Sequence, residues 1–164
     1  MKSIGVEALS LDAFVEFGCY RDLLHPKGEC IGAQPIEFFR DMLRIPINNP
    51  SFSVCRVAAR PLVIDKTEMH SRTAEATLCL DADTLIHVGP ATPSGTVPLE
   101  RFQVFFVPKG TIVAIHPGVW HHAAFLHDTD AAAANVIGIL PERTYANDNV
   151  IVDLRAEDRI MIST

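Results

Sequence analysis

The stretch GTIVAIHPGVWHH, residues 110–122, decides the fold more than any other part of the chain. Its β-branched run over 111–115 predicts a strand, and Pro117-Gly118 predicts a turn, after which the chain becomes extended again. Side chains alternate between the two faces of a strand. We therefore expect His121 to face the interior, and His122 to face the opposite side, at the surface or in an interface.

A second polar cluster, EMHSRTAE at residues 68–75, precedes another apolar strand. Glu68 and His70 lie two residues apart, so their side chains point the same way on an extended segment. Glu75 lies beyond a short bend, where the next strand begins and can face inward again. Small β-barrels place inward-facing residues from separate strands around one cavity. With His121, these residues form a set of two imidazoles and two carboxylates suited to Mn, Fe, Ni or Zn.

Short β-rich segments separated by turns fill the chain from residue 51 onward. The predicted strands are 51–59, 61–67, 74–80, 84–88, 102–107, 111–115, 133–140 and 149–154, with turns at 81–83, 89–90, 93–95, 108–110, 117–118 and 128–130. Many short strands with closely spaced turns favour an all-β barrel or sandwich over βαβ units. Before them we expect a short capped helix over 10–18 and a helix-like stretch over 35–44. A single domain over 1–164 is predicted.

The composition excludes several classes of partner. The net charge is −6, and binding to nucleic acid needs clustered Lys and Arg, so no nucleic-acid partner is expected. The apolar stretches are too short to cross a bilayer, and no secretion signal is visible at the start, so we expect a cytoplasmic protein without a membrane partner. The cysteines form no CxxC pair and are expected to be reduced thiols: Cys19, Cys30, Cys55 and Cys79.

The stretch at 110–122 resembles the second motif of the cupin superfamily, which has a glycine, a Pro-x-Gly turn and a metal-binding histidine. Gly110, Gly118 and His121 match its spacing, with His116 in the place of the usual proline. This resemblance implies a double-stranded β-helix (jelly-roll) barrel behind the short N-terminal helix, and a homodimer.

The cluster at 68–75 resembles the first cupin motif, which is His-x-His, three or four residues, and then Glu. Glu68 replaces the first histidine, while His70 and Glu75 occupy the other two positions. The resemblance implies that a divalent metal (Zn, Mn, Ni or Fe) is held by His70, Glu75 and His121.

Within that superfamily the chain resembles the ureidoglycolate lyase family nearly end to end. The similar pieces are VEALSLDAFVEFG at 6–18, SVCR at 53–56, EMH at 68–70, VWHH at 119–122, ER at 142–143 and NDN at 147–149. The resemblance implies catalytic roles for His70, His116 and His121, and substrate-binding roles for Arg56, Glu68 and Arg143. The chain departs from the family at Glu75, where glutamine is usual, and after residue 143, where glycines are missing.

The implied activity is cleavage of ureidoglycolate, or of a close α-hydroxy acid, into glyoxylate and urea. His121 or His70 would act as the base. Arg56 lies in an apolar strand: it either points inward and clamps a small-molecule carboxylate, or lies on the outer face. Two alternatives stay open, a metal-dependent cupin enzyme such as an isomerase or dioxygenase, and a cupin that binds a small molecule without catalysis.

Overall fold

The computed structural model describes residues 2–93, 95–127 and 131–164, and short β-strands make up most of it. In chain order the elements are β1 Lys2–Ala8, α1 Leu11–Phe14, β2 Gly18–Asp22, β3 Cys30–Ala33, β4 Ile36–Phe39, β5 Pro50–Ala58, β6 Val63–Ile64, β7 Lys66–Met69, β8 Glu75–Cys79, β9 Thr84–Gly89, β10 Gln103–Val107, β11 Thr111–Ile115, β12 Trp120–His121, β13 Phe125–Leu126, β14 Ala133–Pro141, α2 Thr144–Asn147, β15 Val150–Asp153 and β16 Ile160–Ser163. Two 3₁₀ turns lie at Leu99–Arg101 and Ala156–Asp158. The turn predicted at 128–130 lies outside the described residues.

Two sheets enclose the core. The larger has the order β15-β7-β12-β9-β10-β1-β16-β6, with β13 also paired to β9, and the smaller has the order β2-β11-β8-β14-β5. Phe105 and Val107 of the larger sheet pack in one buried cluster with Val113 and Ile115 of the smaller sheet. The predicted all-β, cupin-type barrel is confirmed.

The N-terminal helix covers one end of this core. Ser10 caps it by accepting a hydrogen bond from the Ala13 N–H at 3.2 Å, and Phe14 packs edge-on against Phe105 at 5.2 Å between ring centroids. The predicted helix over 10–18 is confirmed in its position but is shorter, because Gly18 already begins β2 beside β11. A Cβ at Gly18 would lie only 2.0 Å from the Ala114 carbonyl oxygen, so this pairing requires glycine.

The helix-like stretch predicted at 35–44 is wrong. Ile36–Phe39 is β4, which pairs antiparallel with β3 in a separate hairpin. Helix-favouring Glu37 stands among β-favouring Ile36, Phe38 and Phe39, and the pairing with β3 decides between the two preferences.

All four cysteines lie within the described residues and are free thiols, as expected. Within the described ranges, no helix has the length and apolar character needed to span a membrane.

Candidate active site

A cavity of about 160 Å³ lies between the two sheets. Its wall combines polar side chains with small and apolar ones, and includes Ser53, Cys55, Val57, Glu68, His70, Glu75, Thr77, Cys79, Thr84, Ile86, Thr111, Ile115, His121, His122, Val136, Gly138 and Tyr145. The residues Glu75, Thr77 and Cys79 alternate along β8, so one face of that strand lines the length of the cavity.

Three of the predicted site residues converge in this cavity. Glu75 Oε2 lies 3.0 Å from His70 Nε2 and 3.0 Å from His121 Nε2. His70 follows β7, Glu75 begins β8, and His121 ends β12, which is held between Glu68 of β7 and Val88 of β9. Strands from both sheets therefore deliver one acid and two imidazoles to one place.

The tautomers of both imidazoles follow from their second hydrogen bonds. His70 Nδ1 lies 2.6 Å from the Asp148 carbonyl oxygen, and His121 Nδ1 lies 2.9 Å from the Val119 carbonyl oxygen. A carbonyl oxygen can only accept, so each Nδ1 carries a proton and donates it. Each Nε2 therefore presents to Glu75 either a second proton or, in the neutral ring, a lone pair.

Charge favours the protonated form of both rings. Burial lowers the pKa of His70 and His121, but the hydrogen bond and negative charge of Glu75 outweigh it, and both pKa values are raised above 6.5. Burial raises the pKa of Glu75, but the hydrogen bonds from His121 and His70 lower it overall from 4.5 to about 2. Below the raised imidazole pKa values, the cluster is a carboxylate between two cations and carries a net positive charge.

The same donor set fits a divalent ion. The ligand atoms of His70, Glu75 and His121 all lie within 4.8 Å of one another. Once both Nε2 atoms lose their protons, two lone pairs and a carboxylate oxygen surround one point, while the backbone carbonyls keep the rings in place. Two nitrogens and one oxygen suit Zn, Mn, Ni or Fe. Glu68, although it stands in the position of the first motif's histidine, is not part of this group of described residues.

Glu68 nevertheless lines the cavity, as does His122. The expected outward orientation of His122 is wrong, because β12 ends at His121 and strand alternation does not extend to the next residue. Burial lowers the pKa of the His122 ring overall, although the negative charge of Glu68 acts to raise it. The Nδ1 atom of His122 is buried without a hydrogen-bond partner among the described residues.

The other three predicted site residues do not reach the cavity. His116 is exposed in the turn before β12, and Arg143 is exposed beside Glu142, 3.7 Å away. Arg56 is exposed between the cavity-lining Cys55 and Val57. Its side chain therefore lies on the outer face of β5, where its charge acts on Asp81. The structure therefore contradicts the inward orientation considered for Arg56. It also contradicts a contact of His116 or Arg143 with the cavity.

Sequence reasoning missed two contributors from the 144–148 region. Tyr145 of α2 lines the cavity, and the Asp148 carbonyl fixes the His70 ring. Their sequence signal was weak: NDN at 147–149 entered only through the family resemblance, and nothing in the pattern linked α2 to residue 70.

A chain of buried hydrogen bonds links His87 and Thr67 to the backbone of β12. The Thr67 hydroxyl donates to the His121 carbonyl oxygen at 3.2 Å, so it accepts from His87 Nε2, also at 3.2 Å. His87 is buried, which holds its pKa well below 6.5 and keeps the ring neutral. His87 is therefore structural.

Comparisons with known proteins point to one enzyme family. The family model described as Ureidoglycolate lyase matches residues 1–154. A relative named ureidoglycolate lyase, from Rhodobacter capsulatus, is 30% identical over 126 residues, which are 74% of this chain and 77% of the relative.

Two solved structures are similar at low identity. A dTDP sugar isomerase from Desulfovibrio desulfuricans G20 superposes with a TM-score of 0.55 at 13% identity, over 87% of this chain and 85% of that one. This likeness concerns the fold alone. An oxalate decarboxylase from Bacillus subtilis gives a TM-score of 0.45 at 13% identity over 65% of this chain, which spans only 24% of that protein. Because the family model covers almost all of the chain, this protein belongs to the ureidoglycolate lyase family.

Proposed function

We propose that this chain is a carbon–nitrogen lyase that cleaves ureidoglycolate into glyoxylate and urea. The observation that carries the proposal is the convergence of His70, Glu75 and His121 in the cavity of a member of this family. Ureidoglycolate is a small carboxylate with a carbinol carbon bearing both a hydroxyl and a ureido nitrogen. Its size suits a cavity of about 160 Å³, and its polar groups suit the Glu68, His70, Glu75 and His121 side chains that line it.

The reaction moves one proton from oxygen to nitrogen. A base removes the hydroxyl proton, the C–O bond becomes the aldehyde C=O, and the C–N bond breaks, with its electron pair going to the ureido nitrogen. That nitrogen then takes a proton and leaves as urea. An imidazole whose pKa lies near neutrality can accept the first proton and return it to the nitrogen. His70 Nε2 and His121 Nε2 both face the cavity and can perform this transfer.

The substrate carboxylate needs positive charge. No Lys or Arg is among the residues that line the cavity in the described part of the chain. The Arg56 clamp is therefore replaced in this proposal by the positive charge of one protonated ring of the His70–Glu75–His121 cluster, while the other ring loses its Nε2 proton and acts as the base.

A divalent ion held by His70, Glu75 and His121 would supply Lewis-acid chemistry, lowering the pKa of a hydroxyl bound to it. Those two imidazoles would then be ligands and could not also act as bases. Glu68 and His122, which line the same cavity, would remain able to take the hydroxyl proton.

The four free thiols are consistent with a reducing compartment, and we propose a cytoplasmic location on that basis.

The proposal is tested by giving purified protein racemic ureidoglycolate and following glyoxylate release against the spontaneous background. The assay is run metal-free and with Mn, Zn, Ni or Fe added, and metal content is measured on protein purified without chelators. We expect release well above background in at least one condition. Background rates in every condition would contradict the proposal.

A further inference from the structure

The carboxylate of Asp148 is bonded to the segment that follows His70. Its Oδ1 accepts a hydrogen bond from the Ser71 N–H at 2.9 Å and another from the Ser71 hydroxyl at 2.8 Å. Its Oδ2 accepts from the Arg72 N–H at 2.8 Å. Asp148 does not line the cavity, so these bonds organise the chain beside the site and do not touch a ligand.

The backbone of the same residue contacts His70 directly. Its carbonyl oxygen accepts the Nδ1 proton at 2.6 Å, and its N–H donates to the Thr144 carbonyl at 2.9 Å, at the end of α2. The same helix contributes Tyr145 to the cavity wall. Asp148 therefore joins α2 to His70 through its main chain, and to the turn after His70 through its side chain.

This connection determines which nitrogen of His70 faces the cavity with a lone pair. A neutral imidazole carries its proton on either nitrogen, and the hydrogen bond at one nitrogen selects the tautomer. Glu75 Oε2, 3.0 Å from Nε2, competes for that proton, and the carbonyl of Asp148, 2.6 Å from Nδ1, favours the Nδ1–H tautomer. In that tautomer the Nε2 lone pair can bind an ion or accept a proton. The carbonyl keeps its place because three hydrogen bonds anchor the side chain of the same residue to residues 71 and 72.

We propose that Asp148 is a positioning residue for His70: its anchored carboxylate holds its own carbonyl against Nδ1, which directs the Nε2 lone pair into the cavity. The effect on turnover rests on the proposed function, whereas the effect on the His70 tautomer does not.

The test uses the full chain with Asp148→Asn. The amide keeps one acceptor oxygen but turns an NH₂ group toward the Arg72 N–H or the Ser71 donors, so the anchoring cannot be complete. Asp81→Asn is the matched control, because Asp81 also accepts from a backbone N–H, that of Asn135 at 2.8 Å, and does not line the cavity.

The first measurement is the tautomer of His70 in metal-free protein, by long-range ¹⁵N–¹H NMR at a pH where the ring is neutral. The signals are assigned by their loss in His70→Gln. We expect mainly Nδ1–H in the unchanged protein and in Asp81→Asn, and a larger share of Nε2–H, bonded to Glu75, in Asp148→Asn. An unchanged share of Nδ1–H in Asp148→Asn would overturn the proposal.

The second measurement is steady-state kinetics with ureidoglycolate. Loss of an outer hydrogen-bonding partner typically lowers activity by about 10- to 100-fold, and we expect that loss in kcat, with KM less affected because Asp148 does not touch the ligand. Unchanged kcat in Asp148→Asn would overturn the proposal. If that variant does not fold, Ser71→Ala replaces it, because it removes only the hydrogen bond from the Ser71 hydroxyl to Asp148. We then expect a smaller tautomer shift in the same direction, and the absence of any shift would contradict the proposal. If the unchanged protein has no turnover, the proposed function fails while the tautomer result still decides this inference.

Discussion

At the scale of single residues, the site consists of one carboxylate shared by two imidazoles. Strand alternation and turn residues predicted one site with Glu68, His70, Glu75 and His121, and the structure brings the last three together while Glu68 lines the same cavity. The same reasoning could not place Arg56: nothing in an apolar strand such as SVCRV says which of its two faces is covered. It also failed for His122, because the end of β12 is set by tertiary contacts and not by local sequence.

His121 and His116 make a matched pair for testing the site. Replacement of His121 by alanine removes a cavity-facing Nε2 and is expected to lower kcat/KM by about 10²- to 10⁴-fold, the usual contribution of an acid–base group. His116→Ala removes an exposed imidazole in the preceding turn and should leave kcat/KM close to that of the unchanged protein. Steady-state glyoxylate release measures both. Equal losses of kcat/KM in the two variants would contradict a catalytic role for His121.

The pH dependence of activity follows from the raised pKa of His70 and His121. A base must be unprotonated, so in metal-free protein kcat/KM should rise with pH through a midpoint above 6.5, the ordinary imidazole value. Rate profiles from about pH 5 to about pH 10 measure this midpoint. A midpoint at or below 6.5 would show that Glu75 does not stabilise the imidazolium forms.

The free energy of unfolding should depend on the charges of the same three residues, and their contribution should be lost at both high and low pH. The imidazole contribution is fully present below pH 6.5 and is lost as the pH rises through the raised folded-state values. The Glu75 contribution is present above pH 4.5 and is lost as the pH falls toward about 2. Urea unfolding of metal-free protein should therefore show the largest contribution of this cluster between those limits, and Glu75→Gln should flatten the profile there.

At the scale of elements, the strands with a strong local pattern were predictable and those without one were missed. β9, β10 and β11 lie close to their predicted bounds, because apolar residues and the Pro108-Lys109-Gly110 turn mark these strands within the local sequence. β1 and β16 were missed, since they form a parallel pair from the two ends of the chain and no local pattern marks such a pairing. β12 was expected only as an extended segment, and its two residues gain their order from β7 and β9.

The turn before β12 should be sensitive to a single methyl group. Gly118 has φ of 80°, its N–H donates to the His70 carbonyl at 2.7 Å, and an added Cβ would lie 3.1 Å from Ala91. Gly118→Ala should cost about 1–2 kcal/mol of unfolding free energy from its left-handed backbone. Gly138→Ala is the control, because a Cβ there meets no atom of the described residues within 4 Å, and urea unfolding should show little loss. Equal costs would contradict this account of the turn.

At the scale of the whole molecule, the expected homodimer stays a prediction. β5 ends the smaller sheet, and its Phe52 and Val54 are 71% and 67% exposed. An apolar edge strand of this kind can pair with its copy across a two-fold axis. Light scattering should give the mass of two chains, and Phe52→Glu should shift it toward one. A single-chain mass for the unchanged protein at micromolar concentration would contradict the prediction.

The central claim is that the chain breaks the carbon–nitrogen bond of ureidoglycolate and leaves the urea unit intact. Its most direct test is product stoichiometry, measured by ¹³C NMR together with an ammonia assay during turnover by the purified protein. We predict glyoxylate and urea in equal amounts, without ammonia. Ammonia released in proportion to glyoxylate would show that the ureido group is hydrolysed instead and would contradict the claim.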